Sequence, residues 1–254
     1  TALSLEAIGH NSALEQSERP EGPWLSGYVQ RTEIRDYAGN RQWSESQRRD
    51  WNFPKWSPPV PLIVSGGVAA RTSGQRWFPG QPTDVTAWTE TTALAPERLL
   101  LTAKAAADLR SLPDVTLQRV RQNVVSFTRP GQVLTLYLNA WTRLPTALEI
   151  IRNDHFGIWG DVVERRLYSF WTLETGGLMY PRQTTTEWNG QPSSDETVQA
   201  LNIEATIDDS KFAMPDDVKA AFAQAAARPS GMSSLALDEA RAVVLADYVV
   251  QFPS

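Results

Sequence analysis

Apolar and polar residues alternate with a period of two through much of the chain. Leu134, Leu136 and Leu138 alternate with Val133, Thr135, Tyr137 and Asn139, which predicts a strand with one very apolar face. Runs of the same character cover 147–151, 162–171 and 178–188, and Leu201, Ile203, Ala205 and Ile207 alternate once more after the Asn189-Gly190 turn signal. Upstream, 114–127 reads as one or two strands, and 62–77 as strand broken at Gly66-Gly67 and Ser73-Gly74. Residues 24–51 read as a hairpin turning at Ala38-Gly39-Asn40. The stretch 31–49 is polar on both faces, so this hairpin is expected at an edge or solvated on one side. Between 52 and 61, Pro54, Pro58, Pro59 and Pro61 predict a rigid connection, because proline has no ladder donor. The first twenty residues read as a short helix or an arm.

One segment changes period. Leu99, Leu100, Ala103 and Ala107 fall on one helical face over 96–108, with Pro96 at the first position and Glu97 in the first turn. A second helix is expected at 216–227, followed by Arg228-Pro229-Ser230-Gly231 as a linker. About nine strands joined mostly by turns cannot build a parallel sheet. The expected fold is therefore α+β: a large curled antiparallel sheet, a half-barrel, wrapped over one or two helices in residues 1–227.

Composition narrows the function. The 254 residues contain no cysteine and two histidines, His10 and His155. Disulfides, thiolate metal sites and polyhistidine centres are thereby excluded. A formal charge of −5 offers no basic field for nucleic acid. No apolar run is long enough to span a bilayer as a helix. All ten tryptophans lie between Trp24 and Trp188, so they mark the sheet region and stop before the C-terminal segment.

Two sets of residues are candidates for chemistry. Around 153–171, Asp161 and Glu164 with His155 are the polar candidates, a carboxylate pair with a base of the kind used on glycosidic bonds. The structural alternative places Asp161 at a turn, Glu164 against an arginine and His155 satisfied locally. The second set is aromatic: Trp51, Trp56, Trp77 and Trp88, in proline- or threonine-rich connections, are expected at a mouth or interface, with Trp141, Trp159, Tyr168 and Trp171 as further ligand-facing rings. Glycine-rich phosphate loops, nucleophile elbows and zinc-binding helix motifs do not occur.

From about residue 94 the order of short motifs is specific. Leu99-Leu100-Leu101 with Ala105-Ala106-Ala107 is followed by Val124-Val125-Ser126-Phe127, Tyr137-Leu138-Asn139-Ala140, Leu144-Pro145-Thr146, Gly160-Asp161-Val162 and Tyr168-Ser169-Phe170-Trp171. Gly176-Gly177, Tyr180-Pro181, Asn189-Gly190 and Phe212-Ala213-Met214-Pro215 continue the series. This succession resembles the N-terminal, non-catalytic domain that precedes the zinc domain in exported bacterial metallo-β-lactamase-fold hydrolases, and the half-barrel is similar at fold level to periplasmic lipoprotein carriers. Tyr248-Val249-Val250-Gln251-Phe252-Pro253-Ser254 is similar to the opening strand of such a zinc domain. The resemblance implies an accessory domain, with 228–254 as linker and stub, that positions the downstream zinc-hydrolase domain, shapes substrate access or mediates homodimerisation. It implies an exported or periplasmic location and zinc only in the following domain, since no His-x-His-x-Asp-His motif is present for the ligands to match. The alternative is a periplasmic carrier or sensor that binds an apolar ligand in the concave sheet. In both readings this chain itself has no catalytic role and no cofactor.

Overall fold

The computed structural model describes residues 2–13, 24–129, 131–153 and 161–227. The first half of the chain contributes β1 (Ala2–Ala13), β2 (Trp24–Asp36), β3 (Arg41–Asp50), β4 (Val60–Ser65), β5 (Val68–Ser73) and β6 (Arg76–Pro79). Two helices follow, α1 (Pro82–Leu94) and α2 (Pro96–Ala105). The second half contributes β7 (Arg110–Leu117), β8 (Val120–Arg129), β9 (Gln132–Asn139), β10 (Pro145–Asn153), β11 (Asp161–Leu173), β12 (Met179–Trp188) and β13 (Gln191–Asn202), then α3 (Asp216–Ala227). All thirteen strands belong to one open antiparallel sheet in the order β6-β5-β4-β3-β2-β1-β13-β12-β11-β10-β9-β8-β7. Each half is a meander of sequence neighbours. The seam between the halves is the β1–β13 pair, with Leu5 opposite Leu201.

The sheet curls over its helices. In α1, Trp88 packs with Val64 of β4 and Ala69 of β5, while Glu90 bonds Arg152 of β10. On a flat sheet β4 and β10 would stand seven strand spacings apart, roughly 34 Å at about 4.8 Å each. A helix of thirteen residues is only about 20 Å long. Both contacts from one helix therefore require a half-barrel.

Several local features follow directly from sequence. Leu134 and Leu136 of β9 face Leu148 and Ile150 of β10, and the four pack with Phe127 under Leu94, Leu99 and Ala103 of the helices. Each such side chain contributes about 1.5–3 kcal/mol on full burial. The break between α1 and α2 falls at Ala95, extended at φ −60° and ψ 141°, because the ring of Pro96 disfavours a helical residue before it. At the far edge α3 meets both faces of the sheet. Its Val218 joins Ile63 and Ala70, and its Phe222 joins Val64, Ala69 and Trp88.

Four expectations are corrected. The N-terminal residues form strand β1, not a helix or arm, and Leu3, Leu5 and Ala7 are buried at the seam. Trp88, expected in a threonine-rich connection, lies in α1. The β2–β3 hairpin is not an edge; it lies between β1 and β4, and its polar residues Glu33, Arg35 and Gln42 are buried. The alternation at Leu201, Ile203, Ala205 and Ile207 continues no strand beyond Asn202. The linker and zinc-domain stub expected at 228–254 lie outside the described residues.

Candidate functional site

The concave face is filled at two places and hollow between them. The α2 side is closed by the leucine cluster and the α3 side by Trp88 and Phe222. Between these plugs lies a cleft of about 420 Å³, roofed by Thr91, Leu94, Ala95 and Pro96 at the α1–α2 break. Its walls come from β2, β11, β12 and β13.

Charged residues placed on one face by strand alternation build this site. Arg31, Glu33 and Arg35 of β2 share a parity and so a face. The Glu33 carboxylate, 0% exposed, accepts from Arg31 at 2.6 Å, Arg35 at 2.8 Å and Gln42 at 2.6 Å. Arg35 also donates to Glu97 of α2 at 2.8 Å, where the Tyr37 hydroxyl donates too. Burial alone would raise the Glu33 carboxyl, but the Arg35 and Arg31 guanidiniums outweigh it and hold it down at about 2. Burial likewise opposes the charge on Arg35; Glu33 and then Glu97 overcome it and raise the guanidinium well above its usual range.

A second set bolts down α1. Glu90 and Glu164 both take Arg152, and Arg166 donates to Glu164 at 2.7 Å. Against the burial that would raise it, Arg152 holds the Glu90 carboxyl below its ordinary value. Helices α1 and α2 thus each contribute one carboxylate to arginines of the concave face. The remaining strand lining is mostly hydroxyl and aromatic, from Thr184, Thr186, Ser193, Ser194, Tyr168, Tyr180 and Trp188, with Glu196 and the apolar Pro181 and Val198.

The predicted site residues scatter. Trp88 is 4% exposed inside α1, and Trp77 packs with Ile63, Ala70, Met214 and Val218; both serve the core and neither lines a mouth. Trp51 and Trp141 are solvent-facing at 63% and 86%, and Trp56 lies under the Arg49 guanidinium at 5.2 Å, all away from the cleft lining. Tyr168 and Trp171 meet edge to face with centroids 6.4 Å apart. Tyr168 lines the cleft and, with Trp171, a smaller cavity of about 190 Å³ beside Gln122. Burial pushes the Tyr168 hydroxyl up to about 12, and that hydroxyl has no hydrogen-bond partner among the described residues. Asp161 and Glu164 form no carboxylate pair. Three residues apart on β11 they point to opposite faces, Asp161 exposed and Glu164 buried against its arginines. His155 and Trp159 lie outside the described residues. Among the described residues no three metal-ligating side chains cluster, and no helix is long and apolar enough to cross a membrane.

Sequence reading missed Arg31, Arg35, Thr184, Thr186, Trp188, Ser194 and Glu196. The signal lay in the spacing: an Arg-x-Glu-x-Arg strand puts a self-complementary row of charges on one face, which marks burial as readily as solvation.

The fold and cleft together define an open antiparallel half-barrel with a polar interior chamber. No protein-family model and no curated protein matches the sequence. Among solved structures the chain is similar to a Vibrio parahaemolyticus domain described as an outer membrane lipoprotein-sorting protein, at 8% identity and a TM-score of 0.47 over 83% of this chain and 88% of that one. A second likeness, to PNGF-II, has 7% identity and a TM-score of 0.20, and this chain spans only 29% of that chain's length. Neither likeness assigns a ligand or an activity. The metallo-β-lactamase association has no counterpart in these comparisons and stays an expectation of the motif order.

Proposed function

We propose that this chain is a non-catalytic binding domain that carries or senses a small molecule in the concave cleft, in an exported or periplasmic setting. The observation that carries the reading is the chamber of about 420 Å³ left open between two packed plugs, a size in the range of small-molecule sites, roughly 300–1,000 Å³. The carboxylates that line the cleft favour binding over catalysis, because Glu164 and Glu196 are each committed to a guanidinium, as are Glu33 and Glu97 behind its arginines. The wholly apolar ligand expected from the tryptophans fits this lining poorly, since burying alkyl surface against charged and hydroxyl groups leaves those groups desolvated.

Trp188 reports on occupancy. The fluorescence difference between the wild type and Trp188→Phe is to be titrated with dodecanoate, lysophosphatidylcholine, maltose and diacetylchitobiose. At least one probe is expected to give a saturable response that Ser194→Trp, which fills the chamber, abolishes. No response to any probe, or a response that Ser194→Trp leaves intact, overturns the reading.

A further inference from the structure

The charges around the cleft are matched. Arg31 pairs with Glu33 and Glu196, Arg35 with Glu33 and Glu97, and Arg166 with Glu164 and Glu90. An ionic headgroup entering here would have to displace one of these partners and leave it unpaired in a partly dehydrated site.

What remains free is a strip of hydroxyls. Thr184 and Thr186 of β12 face the cleft opposite Glu196 and Ser194 of β13. The register shift after Thr186 brings Ser193 into the lining beside Ser194, as a bulge re-aims a side chain. On the opposite face Thr185 is bonded to Asp195 at 2.7 Å. The Thr184, Thr186, Ser193 and Ser194 hydroxyls, by contrast, make no side-chain hydrogen bond to another described residue, nor are they among the buried atoms lacking partners. They are open to the cleft, with both donor and acceptor capacity.

Aromatic surface stands beside this strip at the part-exposed Trp188, while Tyr180 at the other end is packed into the seam cluster. The part-exposed Arg31–Glu196 pair adds a donor and an acceptor side by side, at 2.7 Å from each other.

From this juxtaposition we infer that the cleft takes a neutral polyhydroxylated ligand of mono- or disaccharide size. A pyranose has an apolar C–H face that lies on an indole and a rim of hydroxyls that exchange hydrogen bonds with threonine, serine and an Arg–Glu pair. Neutrality suits the compensated charges, and the cleft's volume stands near the lower end for small-molecule sites. The inference rests on the binding reading above and specifies its ligand.

The test is calorimetry on the whole chain with maltose, cellobiose and diacetylchitobiose against lysophosphatidylcholine and dodecanoate. At least one disaccharide is expected to bind. Thr184→Val and Thr186→Val, which keep side-chain shape and remove one hydroxyl each, should each weaken it about five- to tenfold, with thermal unfolding verifying that both variants fold. Binding of lysophosphatidylcholine or dodecanoate alone, sensitive to Ser194→Trp, would overturn the saccharide inference and leave the binding reading standing. Binding of a disaccharide unaffected by either valine would overturn the assignment to this hydroxyl strip. Silence from all five probes would remove both.

Discussion

Replacing Glu33 by glutamine tests the ionic centre of the fold. In the native protein the carboxylate is fully buried and held at about 2, against an ordinary value of 4.5. A lowered folded-state value means that the charge stabilises the native state fully above about 4.5 and ceases to do so as pH falls through about 2. The difference of about 2.5 units corresponds to about 3 kcal/mol at roughly 1.4 kcal/mol per unit. A second route gives the same size: removing one partner of a buried ion pair costs about 3–5 kcal/mol, moderated here because Arg35 keeps Glu97 and Arg31 keeps Glu196. Glu33→Gln is therefore expected to be about 3 kcal/mol less stable at pH 7. In urea unfolding followed by tryptophan fluorescence, that is a midpoint lowered by roughly 1–2 M. Between pH 4.5 and 2.5 the gap should shrink, because the wild-type carboxylate is losing the advantage that glutamine never had. A gap under about 0.5 kcal/mol at pH 7, or one that stays constant down to pH 2.5, would refute the account.

Two more substitutions separate core from surface among the aromatic residues. Trp88→Ala, which empties the space between α1, β4, β5 and α3, should cost about 3–5 kcal/mol, whereas Trp141→Ala, at an exposed turn, should stay within about 0.5 kcal/mol; equal midpoints in urea would contradict this placement. Tyr168→Phe should stabilise the ligand-free protein by about 1 kcal/mol, because it deletes a buried hydroxyl without a partner and keeps the ring; a melting temperature that falls would show that the hydroxyl is bonded.

What the sequence made legible depended on whether neighbours along the chain carried the information. The triplet Leu134, Leu136 and Leu138 declared β9 because its partners Leu148 and Ile150 complete the same face one hairpin later. Helix α2 was legible for a similar reason, from Pro96, Glu97 and the spacing of Leu99 and Ala103. Helix α1 was not: Thr83, Thr86, Thr89, Thr91 and Thr92 lower helix propensity, and tertiary contacts through Trp88 and Glu90 decide the outcome. The β1–β13 seam, in the middle of the sheet, joins the first of the thirteen strands to the last, and no local pattern encodes such a pairing. Asp161 and Glu164 could have been separated by parity alone, since an odd spacing on a strand sends two side chains to opposite faces. The cleft was hardest to read because its definition needs Glu97, sixty-two residues from Arg35, to turn an apparently solvated strand into an interior one.

The arginines of the concave face explain why the chamber stays open. Ion pairs of the buried Arg35 and of the half-buried Arg152 and Arg166 contribute little net stability compared with apolar groups of the same volume, so these residues are a poor choice for merely filling a core. Their geometry is what distinguishes them. A leucine stripe on α1 could slide over the sheet by a turn with small loss, whereas the Glu90 carboxylate can satisfy Arg152 and Arg166 together at only one setting of the helix. Glu97 pins α2 to β2 in the same way. Two pins, one on each side of the break at Ala95, hold the α1–α2 corner above the sheet. Between the pins Leu94 packs into the leucine cluster, and the hydroxyls of β12 and β13 beside it remain available to a ligand.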